Sequence, residues 1–294
     1  MPQTSFDLAL LRSSIKPFRL HWFPRLRSTN DHAAVLRKRG ELYAPAMVLT
    51  GHQLAGRGRG AHRWWSGPGC LTVTFVLPIE SHLSPHQIPL LAGLAVRNAA
   101  AEIAGDQRVA LKWPNDVLYE GRKLAGLLCE RVHKADLVGL GLNVNVDPRK
   151  APAALRDTIT SLSAIVGRSH EEKGVSEEKG VSEEKGVRTF FHKRVLTPFR
   201  RLTPFPRLDM TDALATVARH LRTTLLHRDE RLFAQSLHEY DAHHALVGRR
   251  VTVINNGEGA AATGRCEGLD STGRLLLRER KTLHRVVAGQ VRLA

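Results

Sequence analysis

Apolar and polar positions divide the chain into two parts with different periods. In the first part, short apolar runs of strand length alternate with longer runs of helical spacing. His21-Trp22-Phe23, Met47-Val48-Leu49 and the run 71–77 read as strands. Ser28-Thr29-Asn30 before Ala33-Ala34-Val35-Leu36 is a helix start with a capping hydroxyl. Over 85–105, Leu90, Leu91, Leu94, Val96, Ala99 and Ile103 predict a helix with one buried face, ended by Gly105. A strand then enters at Val109, breaks at Pro114, turns at Asn115-Asp116 and again at Glu120-Gly121-Arg122, and returns over 123–130. The run 136–146 is a further strand with glycines at alternate positions. Glycine inside a strand marks close approach of a backbone or ligand.

Residues 171–187 repeat Glu-Glu-Lys-Gly-Val-Ser in tandem. These residues cannot bury a core, so 170–208 is expected to be a disordered insertion. Helical spacing resumes over 212–228 with Leu214, Val217, Ala218, Leu221 and Leu225. From Leu246 the period changes to two. Strands are predicted over 248–254, 261–269, 274–279 and 283–288, with turns at Asn255-Asn256-Gly257 and Asp270-Ser271-Thr272-Gly273. Four or five short strands in this stretch suggest a small barrel. The expected organisation is a domain over 1–240 and a smaller one over 241–294.

Composition narrows the class. At 294 residues, 42% hydrophobic and 24% charged, the chain is an ordinary folded protein with no run of membrane-spanning length. No secretory signal precedes residue 20. Arg12, Lys16 and Arg19 give a weak mitochondrial-type pattern that Asp7 opposes, and a cytoplasmic protein is expected. Cys70, Cys129 and Cys266 lack zinc-ribbon spacing and are expected as buried packing residues. His243-His244 is expected as a surface pair. The net charge of +16 favours polyanionic partners, among them nucleotides and acidic proteins. There is no helix-turn-helix signature.

The chemistry concentrates in 53–66. Gly56-Arg57-Gly58-Arg59-Gly60 and Trp64-Trp65 lie between two strands. Glycine frees backbone N–H groups to approach an anion, and arginine offers a fixed fork of donors. The loop is neither a P-loop nor a G-x-G-x-x-G fingerprint. Its alternative is a flexible basic loop. Lys112, Asp116 and Lys123 cluster about one hairpin, which suits either an ion-paired turn or a charged-ligand site.

Taken in order, these segments resemble the biotin protein ligase family. The resemblance rests on Ser28-Thr29-Asn30, the loop from Gln53 to Trp64, Lys112-Trp113-Pro114-Asn115-Asp116, Lys123-Leu124-Ala125-Gly126 and Gly139-Leu140-Gly141-Leu142-Asn143-Val144-Asn145. Ile159-Thr160-Ser161-Leu162 and Gly268-Leu269-Asp270-Ser271-Thr272-Gly273 add to it. The resemblance implies an α+β fold: a mixed β-sheet flanked by helices, then an SH3-like β-barrel. It implies a carbon–nitrogen ligase that forms biotinyl-5′-adenylate from biotin and ATP with Mg²⁺. The biotinyl group then passes to a lysine of a biotin carboxyl carrier domain, that of acetyl-CoA carboxylase or another biotin-dependent carboxylase.

By the same resemblance, Ser28, Thr29, Asn30, Gln53, Arg57, Gly58, Arg59 and Lys123 bind biotin. Gly56, Arg57, Arg59, Trp64, Lys112, Asn115 and Asn143 bind ATP or the adenylate. Lys123, Arg59 and Asp116 are the catalytic set. Lys123 donates to the carboxyl oxygen, and Asp116 orients or deprotonates the incoming lysine or helps place Mg²⁺. The metal ligands are left open. The enzyme is expected as a monomer or homodimer, with no specific nucleic-acid or membrane partner and no winged helix. Gly60-Ala61-His62-Arg63 and Ser66-Gly67-Pro68-Gly69 depart from the family pattern, which bears on loop closure. The competing readings are a lipoyl or octanoyl ligase on the related fold and, from the charge and the tryptophan pair, a nucleic-acid-binding protein.

Overall fold

In the computed structural model, residues 5–79, 83–174, 179–184, 187–192, 205–226, 230–254 and 260–294 are described. Asp7 accepts from the N–H groups of Ala9 and Leu10 and starts α1 (Leu8–Ser14). Next come β1 (Arg19–Phe23), α2 (Thr29–Lys38), β2 (Ala46–Thr50), the short pair β3 (Gly56–Arg57) and β4 (Arg63–Trp64), and β5 (Cys70–Leu77). Helix α3 (Ile88–Ala104) ends at Gly105, whose φ of 62° is the left-handed cap that glycine adopts without strain. A meander follows: β6 (Val109–Lys112), β7 (Asp116–Tyr119), β8 (Arg122–Val132) and β9 (Ala135–Asn143).

These strands form one seven-stranded sheet in the order β1-β2-β5-β9-β8-β7-β6. Only β1 and β2 run parallel, so the sheet is mixed, as expected. Asp116 opens β7 rather than sitting in a turn. The chain continues through α4 (Leu162–Gly174), the hairpin β10 (Lys179–Glu184) and β11 (Val187–His192), α5 (Met210–Leu225) and α6 (Glu230–Ala242). The segment expected to be irregular thus carries a helix end and a hairpin. Among the described residues the hairpin pairs only with itself, as a two-stranded sheet. Helices α1, α4 and α6 are not predicted from the sequence.

Helix α3 is buried nearly all round, not on one face. One side rests on the sheet and the other is covered by α4, α5 and α6. Its one buried charge, Arg97, donates to the carbonyls of Val109 and Gln107 and to Asn98, which satisfies the guanidinium where water is excluded.

The C-terminal strands β12 (Arg250–Ile254), β13 (Ala260–Leu269), β14 (Leu275–Glu279), β15 (Thr282–Val286) and β16 (Gln290–Leu293) form a five-stranded antiparallel sheet, ordered β15-β14-β13-β12-β16. The expected turn at Asn255-Asn256-Gly257 lies outside the described residues. Contacts on either side of α3 help fix this sheet to the first. The Thr272 carbonyl accepts from Gln87 at 3.1 Å and meets His86 Nε2 at 2.9 Å, just before α3. Residues 243–245 add to the edge strand β6, with Leu111 N–H donating to His243 O and Ala245 N–H to Leu111 O. This pairing buries His244 with its Nδ1 3.4 Å from Asp241, so the pair 243–244 is not a surface pair.

Candidate active site

Residues from five expected motifs converge on one cleft of about 680 Å³. Ser28 caps α2 by accepting from the Asp31 N–H. Capping fixes Thr29 at the first helical turn, where its N–H and hydroxyl donate to Gln53 Oε1 at 2.9 and 3.3 Å. Asn30 is buried at 3% exposure and internally engaged. Its amide donates to Leu128 O and Glu130 Oε2, and its oxygen accepts from Thr74. It lines the cleft with both amide hydrogens already placed.

The floor is made of glycines on neighbouring strands. Gly126 pairs with Gly141, and Leu128 with Gly139. A Cβ at Gly139 would lie 2.2 Å from Asn30 Oδ1, and one at Gly141 would lie 2.1 Å from the Trp64 indole. Asn30 and Trp64 therefore rest directly on β9, and only glycine permits it. Gly56 is buried: its Cβ would meet Gln53 and the Trp64 carbonyl at 2.6 and 2.7 Å. It shapes the loop from behind and does not line the cleft.

The expected flexible loop is a small hairpin. Gly56 pairs with Trp64 and Arg57 with Arg63, and the Gly58 N–H donates to His62 O at 2.8 Å. Gly60 makes the turn with φ 59° and open space around it. This presents Arg57, Gly58 and Arg59 to the cleft.

Five cationic side chains line it: Arg57, Arg59, Arg63, Lys112 and Lys123. Lys123 Nζ lies 2.7 Å from Asp116 Oδ1 and 5.6 Å from the Trp64 ring centre. Burial works against the charge of Arg57, but Glu130 and then Asp31 outweigh it and raise its pKa. Arg59 is more enclosed, and burial lowers its pKa against the opposing pull of Asp116. It donates to Asn115 Oδ1 and to the Gly289 carbonyl at 3.2 Å. Asn115 is itself anchored to β8 through the Leu127 carbonyl.

Asn143 does not reach the cleft. It is buried and donates to the carbonyls of Thr160 and Lys123. Its effect is on Lys123, whose N–H donates to Thr158 O and whose carbonyl accepts from the Thr160 N–H. The Ile159-Thr160-Ser161-Leu162 motif thus clamps the backbone that carries the lysine. Sequence reasoning gave no role to this clamp, to Asp31 or Glu130, or to Ile254, Gly289, Gln290 and Val291, by which the C-terminal sheet closes the cleft. A backbone carbonyl such as that of Gly289 leaves no residue-type signature.

Burial pushes the Cys70 thiol up to about 12 and that of Cys129 higher still, which keeps both protonated and unreactive. Cys266 is buried as expected, whereas Cys70 and Cys129 are only partly buried, and all three thiols are free. Among the described residues, no three His, Cys, Asp or Glu side chains gather as a metal cage. No described helix is long and apolar enough to cross a membrane.

Residues 22–147 match the biotin/lipoate A/B protein ligase family, and residues 246–293 match the biotin protein ligase C-terminal domain. Biotin–protein ligase 2 of Arabidopsis thaliana is 32% identical over 163 residues, covering 52% of this chain and 49% of the relative. Biotin–[acetyl-CoA-carboxylase] ligase of Paracoccus denitrificans is 37% identical over 125 residues, covering 40% and 52%. The chain thus spans about half the length of these curated relatives. The biotin protein ligase of Aquifex aeolicus, solved with biotin and ATP, superposes with a TM-score of 0.71 at 25% identity, over 94% of this chain and 99% of that one. The chain thus carries a biotin/lipoate A/B protein ligase domain over residues 22–147 and a biotin protein ligase C-terminal domain over residues 246–293.

Proposed function

We propose that the protein is an ATP-dependent biotin–[biotin carboxyl carrier protein] ligase. The observation that carries this reading is the convergence of Thr29–Gln53, Arg57, Arg59, Lys112 and Lys123 on one glycine-floored cleft. In the first step a biotin carboxylate oxygen bonds to the α-phosphorus of ATP, and the bond to pyrophosphate breaks. Two anions must meet, and Arg57, Arg59, Lys112 and Lys123 offset their repulsion and hold them in line. In the second step a carrier lysine amine attacks the acyl carbon and AMP leaves.

Lys123 is assigned to the acyl oxygen that gains charge in both steps, with Asp116 orienting its ammonium group. Thr29 and Gln53 take biotin's polar end, with Ser28 holding their turn. Arg57, Gly58 and Arg59 cover biotin and the adenylate phosphate, and Lys112, Asn115 and Trp64 take the nucleotide. Mg²⁺ characteristically binds through one or two carboxylates plus substrate phosphates, so it would enter on ATP, with Asp116 the nearest cleft-lining carboxylate. There it would neutralise phosphate charge. The division into 1–240 and 241–294 gives the second unit the role of closing the cleft through Gly289.

The test is incubation with ATP, Mg²⁺, biotin and an acidic carrier domain, followed by streptavidin probing. Biotin-dependent labelling of the carrier is expected. An unlabelled carrier at saturating substrate would refute the proposal, and labelling with lipoate instead of biotin would move it to the lipoyl branch.

A further inference from the structure

The contacts of Arg57 are distributed unevenly over its guanidinium. Asp31 Oδ1 at 2.7 Å and Glu130 Oε2 and Oε1 at 2.9 and 3.1 Å all fall on one nitrogen, Nη2. Among the described residues Nη1 and Nε have no partner, while the side chain lines the cleft. The carboxylates thus grip one corner of the fork and leave the other donors free.

Glu130 is itself held from beneath. Its Oε2 also accepts from Asn30 Nδ2 at 2.8 Å, and Asn30 Oδ1 accepts from Thr74 at 2.6 Å. Thr74 and Asn30 are buried, at 0% and 3% exposure, so the Thr74–Asn30 link lies where water does not compete, while Glu130 reaches from it to the partly open surface. Gly139 provides the space, because a Cβ there would strike Asn30. Four elements far apart in sequence, β5, α2, β8 and β3, are thereby joined up to one arginine.

We propose that Glu130 is the positioning residue for Arg57. Through the relay Thr74–Asn30–Glu130 it fixes Nη2, so that Nη1 and Nε meet the substrate anion without the arginine leaving its anchor. Asp31, half exposed, contributes to the same grip more weakly. A lysine at position 57 could not serve both partners, because its single nitrogen would have to choose between carboxylate and ligand. The inference rests on the cleft being the biotin and adenylate site.

Glu130→Gln keeps the shape and one acceptor oxygen but removes the charge. It is expected to raise the KM for biotin and the dissociation rate of the adenylate by about tenfold, on the scale of one weakened charge-assisted hydrogen bond. Little change in kcat and an unchanged melting temperature are expected. In an Arg57→Lys background the same substitution should add nothing, because the anchor is already lost. Amide hydrogen exchange over 56–60 in the ligand-free protein should accelerate in Glu130→Gln. That readout needs no biotin, so it judges the anchor even if the proposed activity fails. Unchanged KM and exchange, additive losses in the double variant, or tighter biotin binding would each overturn the proposal. Tighter binding would mean that Glu130 competes with the ligand for Arg57.

Discussion

The two faces of strand β9 are built to opposite ends. On one face Val138, Leu140 and Leu142 pack into the large core beneath α3. On the other, Ala135 and Leu137 join a small cluster with α2, and then Gly139 and Gly141 leave the backbone bare. Alternation along a strand lets neighbouring residues serve these two purposes. The core face is specified by what fills it, whereas the cleft face is specified by what is left out. A site floor can therefore be made by deleting side chains from a strand whose position the opposite face secures.

The largest effect expected from breaking this contrast is on stability. Leu142→Ala, fully buried on the core face, should cost about 2–5 kcal/mol by denaturant unfolding while the folded fraction keeps its cleft. Next, Lys123→Ala should slow adenylate formation by at least ~10²-fold, the scale of one lost transition-state donor, with the unfolding midpoint little changed. Pyrophosphate release measures the first property and chemical denaturation the second. An equal loss in both would collapse the distinction between the faces. Gly141→Ala should displace the Trp64 ring, red-shift tryptophan emission and speed adenylate release by roughly tenfold, about 1.4 kcal/mol.

The smallest effect lies away from both faces. Arg108, hydrogen-bonded to Asp106, outweighs the burial of that carboxyl and, with Tyr119, holds it down to about 2 from 3.8. A carboxyl depressed on folding contributes stability that is full above its unfolded pKa and lost as pH falls through the folded one. The acid limb between about pH 4 and 2 should flatten in Asp106→Asn, with no change at pH 7 in the biotin dependence of adenylate formation.

The floor was legible because glycines at alternate positions in an apolar strand have few other uses. The loop was legible through its arginines and the flanking strands. What escaped was pairing at long range. Nothing in the residue types ties Arg57 to Glu130, 73 positions away, or Arg59 to a backbone carbonyl 230 positions away. Asn143, expected at the nucleotide, lies outside the cleft, and Asn30 lines it with its amide already engaged; which internal partners they take only packing decides. His244 was misplaced for the same reason: the strand edge that buries it lies far off in sequence. The all-round burial of α3 was missed because half of its cover comes from helices beyond residue 162.

That cover has a consequence for synthesis. Helix α3 is complete at Ala104, yet α5, which packs along it, begins at Met210, about a hundred residues later. At roughly 5–20 residues per second, its outer apolar side waits about 5–20 s on the ribosome without its lid. The segment 22–147, which holds most of the cleft residues, leaves out α4, α5 and α6 and so the outer cover of α3. Expressed alone it should expose that apolar side of α3 and be prone to aggregation and chaperone capture.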